Sequence, residues 1–250
     1  MGEHLRLMGK TMRNRAMPLL QCRRLNVLRP LTLNSVEPMS RTPTYSPANT
    51  LVVLDFETSG LSPNQGARAI EIGAVLIEQG QITARFSELM NPGFRINSFI
   101  EDYTGISNQM LAHAAPCAEV MARFAAFIGK HHLVAHNAAF DQRFLDAEFA
   151  QIGHQYPGQF GCSLLLARRL YPEAINHQLA TLVRHKQLPT DGTFHRALAD
   201  AEMTGHLWLR MLADLKQGYA ITEPPFSLMQ KIMTKTKAEV PKFLRQYARG

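Results

Sequence analysis

Leu51-Val52-Val53-Leu54-Asp55-Phe56-Glu57-Thr58-Ser59-Gly60 runs four apolar residues straight into two carboxylates and then into a small, Gly-ended turn. The apolar run lacks alternation and is β-branched at its centre, which predicts a strand buried on both faces. On a strand, residues i and i+2 point to one side, so Asp55 and Glu57 project together from its end. Two carboxylates held that close repel, and one takes up a proton unless a cation sits between them. Hard divalent ions such as Mg²⁺ are bound by oxygen ligands of this kind. The plainer reading is a strand leaving the core into a polar turn, and partners elsewhere in the chain must decide between the two.

Two further stretches supply such partners. His136-Asn137-Ala138-Ala139-Phe140-Asp141 follows the apolar Leu133-Val134-Ala135, as a strand giving way to a helix. His195-Arg196-Ala197-Leu198-Ala199-Asp200 opens the last long helical pattern. The three together resemble the motifs D-x-E-T-x-G, H-N-x-x-F-D and H-x-A-x-x-D of the DEDDh family of 3′→5′ exonucleases, in their usual order. By motif the chain is similar to the proofreading epsilon subunit of bacterial DNA polymerase III and to ribonuclease T. The resemblance covers roughly residues 50–215.

It implies a ribonuclease H-like α/β fold and phosphodiester hydrolysis assisted by two Mg²⁺ (or Mn²⁺) ions. Asp55 would bridge both ions, Glu57 and Asp200 would complete one, and Asp141 would hold the other. His195 would be the general base, since an imidazole titrates near neutrality. It lies five positions before Asp200, so it is expected ahead of the helix rather than on it. Substrate contacts carried over by position are the turn Thr58, Ser59 and Gly60, with Leu61 packing on the terminal base. Tyr103-Thr104-Gly105-Ile106-Ser107 resembles the family's I-T-G-I-T segment, which places Ile106 against the last base. His136, Asn137 and Phe140 would line the 3′ end. Stacking on apolar and aromatic side chains ignores base identity, so weak sequence preference is expected. The other reading of Leu61, Ile106 and Phe140 is core packing. One departure is Cys162-Ser163, where the family often has an aspartate.

Charge is unevenly spread along the 250 residues. Residues 1–50 carry eight Lys/Arg against two Asp/Glu, residues 51–215 twelve against sixteen, and residues 216–250 seven against two. The middle is mildly acidic and both flanks are basic, as suits a polyanionic partner held through its phosphates. Basic tails are also commonly plain solvated linkers. Cys22, Cys117 and Cys162 are widely spaced without a C-x-x-C pair, which argues against a zinc site or a disulfide framework. A reducing, cytoplasmic setting fits them. No apolar run approaches the ~20 residues of a membrane span. The Arg-rich, acid-poor start reads as a basic extension or as an organelle transit peptide.

Three segments are expected. Residues 1–48 form a basic, Pro-rich extension with some helical character before residue 30. Residues 49–215 form the exonuclease domain, and residues 216–250 a basic tail that either docks as a helix or reaches for a partner. Within the domain, strands near 51–54, 69–77 and 81–90 form an antiparallel meander. An amphipathic helix over 116–130 follows, then a strand at 133–135 and a helix over 138–151. A short strand at 160–162 leads to a helix capped by Ser163 and running through Tyr171, then helices over 178–185 and from about 195 to 215. Strands followed by helices describe a mixed sheet, antiparallel meander plus parallel strands, flanked by helices. Gln178-Leu179-Ala180-Thr181-Leu182 superficially resembles a clamp-binding peptide but falls inside a predicted helix, which favours a free-standing relative over the replicative subunit.

The expected partners are 3′ ends of single-stranded DNA, with a DNA polymerase and a homodimeric arrangement as further associations. RNA trimming in the manner of ribonuclease T keeps the same chemistry on another substrate, because 2′-OH discrimination rests on pocket shape. A non-catalytic nucleic-acid-binding or polymerase-associated module on the same fold is the alternative outside enzymology.

Overall fold

The buried run that opens at Leu51 becomes the central strand of the sheet, β1 (Leu51–Thr58). The computed structural model describes residues 46–190, 192 and 195–250, all within one unit, Pro43–Gly250. The helical character expected before residue 30, and most of the extension to residue 48, lie outside the described residues.

β1 pairs antiparallel with β2 (Ala69–Glu78), and β2 with β3 (Gln81–Leu89), as the meander required. On its other side β1 pairs in parallel with β4 (Leu133–Ala135), and β4 with β5 (Phe160–Cys162). The strand order is therefore β3-β2-β1-β4-β5. β1 and β2 are buried along nearly their whole length, whereas β3 alternates exposed and half-buried residues, as an edge strand with one wet face must.

Helices cover both faces. Val52, Leu54 and Phe56 pack with Val120, Phe124 and Ile128 of α3 (Cys117–Ile128) and with Phe144, Leu145 and Phe149 of α4 (Ala139–Gln151). Leu51 and Val53 pack on the opposite face with Leu207, Trp208, Met211 and Leu215 of α7 (Ala197–Tyr219). The period of two along β1 thus assigns Asp55 and Glu57, which share parity with Leu51 and Val53, to the α7 face. α5 (Ser163–Leu170) and α6 (Leu179–His185) complete that layer.

The structure departs from the sequence reading in several places. Between β3 and α3 lie two short helices, α1 (Ser98–Thr104) and α2 (Asn108–His113), held by their caps. The Asn97 side chain accepts from the Ile100 N–H, and the Ser107 hydroxyl accepts from the Met110 N–H. Ser163 does not cap α5. Cys162 holds that position, its Sγ accepting from the Leu165 N–H, and Ser163 is fully buried one residue later. α7 runs to Tyr219, one turn beyond Leu215, and ends where Ala220 takes a left-handed conformation, φ 58°.

Residues 216–250, expected as a basic tail, complete the core on the α7 face. α8 (Phe226–Thr234) buries Phe226, Leu228, Met229 and Ile232, and α9 (Val240–Tyr247) buries Val240 and Leu244. Pro225 bridges to Pro47, and the Trp208 indole N–H donates to the Ala48 carbonyl at 2.7 Å, so the start of the described chain meets the α7–α8 connection beside α7. No helix among the described residues is long and apolar enough to cross a membrane.

Candidate active site

Glycine at one position lets the site close. In the β1–β2 ladder Asp55 lies opposite Gly73, and Glu57 opposite Glu71. A Cβ built on Gly73 would sit 2.0 Å from the Leu198 nitrogen and 2.1 Å from the Ala197 carbonyl carbon. Only a glycine admits the start of α7 this close to the sheet. Asp200, in the first turn of α7, is thereby carried to the carboxylates of β1.

Glu71 fixes that approach. Its carboxylate, 2% exposed, accepts from the Ala197 N–H at 3.1 Å and from Arg196 Nη2 at 2.8 Å and Nε at 3.2 Å. It does for α7 what an N-cap side chain does for an ordinary helix, from a neighbouring strand. His195, two residues before the helix, has φ 60°, a left-handed conformation costly for a side-chain-bearing residue. That bend turns the His195 N–H onto Asp200 Oδ2 at 3.0 Å. The imidazole is exposed and packs on the Tyr103 ring, centroids 4.4 Å apart. Ligand atoms of Glu57, His195 and Asp200 lie within 4.8 Å of one another.

Asp141 reaches the site from the other layer. β4 ends at Ala135, so β1 has no strand neighbour on that side at the level of Phe56. Asp141 Oδ1 takes the Phe56 N–H at 3.2 Å instead. Asn137, at the β4–α4 junction, has φ 70°, which asparagine tolerates better than most side chains, and its carbonyl accepts from the Phe140 N–H. His136 is tied at both nitrogens, Nε2 to the His177 carbonyl and Nδ1 to the Ser163 hydroxyl, each at 2.9 Å. A carbonyl can only accept, so Nε2 carries the proton and Nδ1 accepts from Ser163. Burial pushes this imidazole down to about 4, and it stays neutral at physiological pH.

The carboxylates are held at high energy. Desolvation, followed by the charges of Asp141, Asp200, Glu57 and Glu71, pushes Asp55 well above the usual carboxylate range. Desolvation, then Asp200, Glu71 and Asp141, raises Glu57 to about 8, against a lowering by Arg196. Burial also raises Asp141 and Asp200. Four clustered oxygen donors with too little positive charge around them are the donor set of a hard divalent cation. The donor chemistry therefore fits the group that the motifs imply.

Asp55, His195 and Asp200 share one cavity of about 1280 Å³ with Tyr103, His136 and Asn137, and Arg168, His177 and Arg184 lie on its wall. The other expected substrate contacts are not among the residues lining this cavity. Ile106 is 0% exposed in a small cluster with Ile70, Ile96 and Leu111, so its side chain has no face to offer a base. Leu61 is 80% exposed. Phe140 is half-buried against Phe144 with Arg143 over its ring. Thr58 and Ser59 hold the turn itself: the Thr58 hydroxyl donates to the Gly60 carbonyl, and Ser59 Oγ accepts from the Arg68 N–H. Gly60 is close-packed, a Cβ there meeting that of Ala67 at 3.2 Å.

The residues that motif reading missed are Glu71, Gly73, Tyr103 and the cavity arginines. A buried glutamate in an otherwise apolar strand and a glycine two residues later were the signals for the first pair.

The RNase_T family, described as "Exonuclease", matches residues 52–207. This chain belongs to that exonuclease family. It is 33% identical over 173 residues to the DNA polymerase III subunit epsilon of Aquifex aeolicus, covering 69% of this chain and 85% of that one. It is 41% identical over 170 residues to the 3′-5′ exonuclease DinG of Bacillus subtilis, covering 66% of this chain but 18% of DinG. With the PolC-type DNA polymerase III of Bacillus cereus it shares 40% over 168 residues, 66% of this chain and 12% of the polymerase. The exonuclease chain thus spans less than a fifth of those two relatives. Among solved structures it is similar to exonuclease X in complex with 5′ overhanging duplex DNA, with 27% identity and TM-score 0.58 over 73% of this chain and 99% of that one. The nuclease domain of 3′hExo, described as a DEDDh family member bound to rAMP, has TM-score 0.58 at 19% identity over 69% of this chain and 94% of that one, a likeness of fold.

Proposed function

We propose that the protein removes nucleoside 5′-monophosphates from the 3′ ends of single-stranded DNA with the help of two divalent ions, Mg²⁺ or Mn²⁺. The observation that carries this is the meeting of Glu57, Asp200 and an exposed His195 within 4.8 Å, with Asp55 and Asp200 on the wall of an open cavity. Asp55, Glu57, Asp200 and Asp141 would hold the ions. When bound, they supply positive charge to the phosphoryl oxygens and help the 3′ oxygen to leave.

The chain's own residues do the rest. Asp200 holds the His195 backbone, and Tyr103 flanks the ring, so the imidazole faces the carboxylates. In its neutral form it takes a proton from the attacking water as that oxygen bonds to phosphorus. The phosphorus–O3′ bond breaks, O3′ takes a proton from solvent water, and the strand leaves with a 3′ hydroxyl one nucleotide shorter. His136 and Asn137 shape the cavity wall, His136 as a neutral strut between β4, α5 and the His177 loop. The similarity to the epsilon subunit supports docking to a DNA polymerase as part of the same reading.

The test is digestion of 3′-labelled single-stranded DNA, duplex DNA and RNA side by side, with and without EDTA. Metal-dependent loss of single nucleotides from single-stranded DNA, abolished by Asp55→Ala and His195→Ala, is expected. Equal degradation by the wild type and both variants would reject the assignment, and a preference for RNA would transfer it to an exoribonuclease.

A further inference from the structure

The active-site cavity has a cationic neighbour. A second cavity, of about 380 Å³, is lined by Arg168, Arg169, Pro172, His177 and Lys237. Arg168 and His177 also line the catalytic cavity, so the two adjoin across a shared wall. Neither cavity wall has Asp or Glu beyond the catalytic Asp55 and Asp200. Arg168 and Lys237 are exposed, and no carboxylate among the described residues pairs with either.

Part of this lining is anchored. Arg169 donates through Nε to the Lys235 carbonyl at 3.0 Å, which docks α5 on the end of α8. Nearby, the Cys162 N–H donates to Met233 Sδ. Lys237 sits in the short α8–α9 connection, where the Glu239 carboxylate accepts from the neighbouring Thr236 N–H at 2.9 Å and hydroxyl at 2.7 Å. His177 is held by Nε2 on the Tyr171 carbonyl, at 3.0 Å. A group of cations without carboxylate partners beside a carboxylate site has the chemistry of a phosphate-binding surface. Arg168, Arg169 and His177 lie inside the family match of residues 52–207, whereas Lys237 lies beyond it.

We propose that Arg168, Arg169 and Lys237 form a subsite for the phosphodiester backbone of a single strand, 5′ to the bond being cut. The C-terminal helix pair then serves to bring Lys237 to the strand. This subsite rests on the nuclease reading for its substrate, but its affinity is measurable without turnover.

The experiment compares wild type, Lys237→Ala and Lys237→Glu, with thermal melts to confirm folding. Binding of a 5′-labelled oligothymidylate is followed by fluorescence anisotropy across a salt series, with Ca²⁺ replacing Mg²⁺. Lys237→Ala lowers the magnitude of the log–log salt slope by about 0.7, the value for one contact with a single strand. Lys237→Glu weakens binding by about tenfold at low salt. Hydrolysis of thymidine 5′-p-nitrophenyl phosphate, which has no upstream phosphate, changes less than twofold. Unchanged slope and affinity in both variants overturn the subsite, and an equal loss on the ester and the oligonucleotide overturns it too. Wild-type protein that binds the strand but hydrolyses neither substrate in Mg²⁺ sinks the nuclease reading and leaves the binding result to judge the subsite alone.

Discussion

Replacing Glu57 with glutamine should stabilise the metal-free protein while destroying its chemistry. Glu57 has its native acidity moved from 4.5 to about 8 by desolvation and by Asp200, Glu71 and Asp141. The unfolded chain restores the ordinary value. Below about pH 4.5 both states are protonated and the residue is neutral in its effect on stability. Between there and pH 8 the unfolded state releases a proton that the native state retains, so stability falls as pH rises. At about 1.36 kcal/mol per unit, the displacement corresponds to roughly 4–5 kcal/mol at pH 8. Asp55, Asp141 and Asp200 share the field and relax when one charge is removed, so about half, ~2 kcal/mol, is expected to be recovered by Glu57→Gln. For a domain of this size that is a rise of about 4–8 °C in Tm. The assay is a thermal melt in EDTA at pH 5 and pH 8, followed by circular dichroism. The variant should gain at pH 8, gain little at pH 5, and lose most of the wild type's response to Mg²⁺. A variant that melts lower than wild type at pH 8 in EDTA would falsify the picture of uncompensated charge.

Other outcomes follow from the same geometry. Glu71→Ala leaves Arg196 and the Ala197 N–H unpaired at the root of α7 and should cost about 3 kcal/mol in denaturant melts, with kcat falling more than KM rises. Gly73→Ala drives a methyl into the backbone of Ala197 and Leu198, so loss of both the cooperative melt and activity is expected, and a fully active variant would contradict the close approach. Ala220→Gly relieves a left-handed alanine and should raise stability by about 0.5–1 kcal/mol with nuclease rates unchanged. Ile106→Val should alter stability by about 1 kcal/mol and leave KM for DNA untouched, because the residue is walled inside its own cluster.

Much of this fold was visible in residue pattern, for identifiable reasons. Leu51–Leu54 and Ala69–Ile77 are long β-branched runs, and tertiary contacts had nothing to override. The parity of Asp55 and Glu57 followed from the strand period alone, and His195 ahead of α7 followed from its spacing to Asp200. What stayed hidden depends on contacts distant in sequence. Glu71 is 125 residues from the Arg196 it binds, and Gly73 is explained only by the start of a helix equally far along the chain. Whether Ile106 met a base or the core stayed open in the sequence, because an apolar residue in a loop carries no period to say which way it faces. α1 and α2 are shorter than the windows in which periodicity speaks, and their Asn97 and Ser107 caps were the available signal. The run Phe226, Met229, Ile232 has helical spacing, but spacing cannot say against what a helix packs.

The bond from the Trp208 indole to the Ala48 carbonyl gives the molecule a built-in optical gauge. Trp208 is the chain's single tryptophan and is fully buried, so its emission comes from the spot where the entering backbone is clasped between α7 and Pro225. Lifting residues 46–49 away would admit water to that ring and shift its fluorescence to the red, while far-ultraviolet ellipticity from the paired strands stayed constant. Peeling at the seam could then be timed separately from collapse of the whole domain, with no label attached.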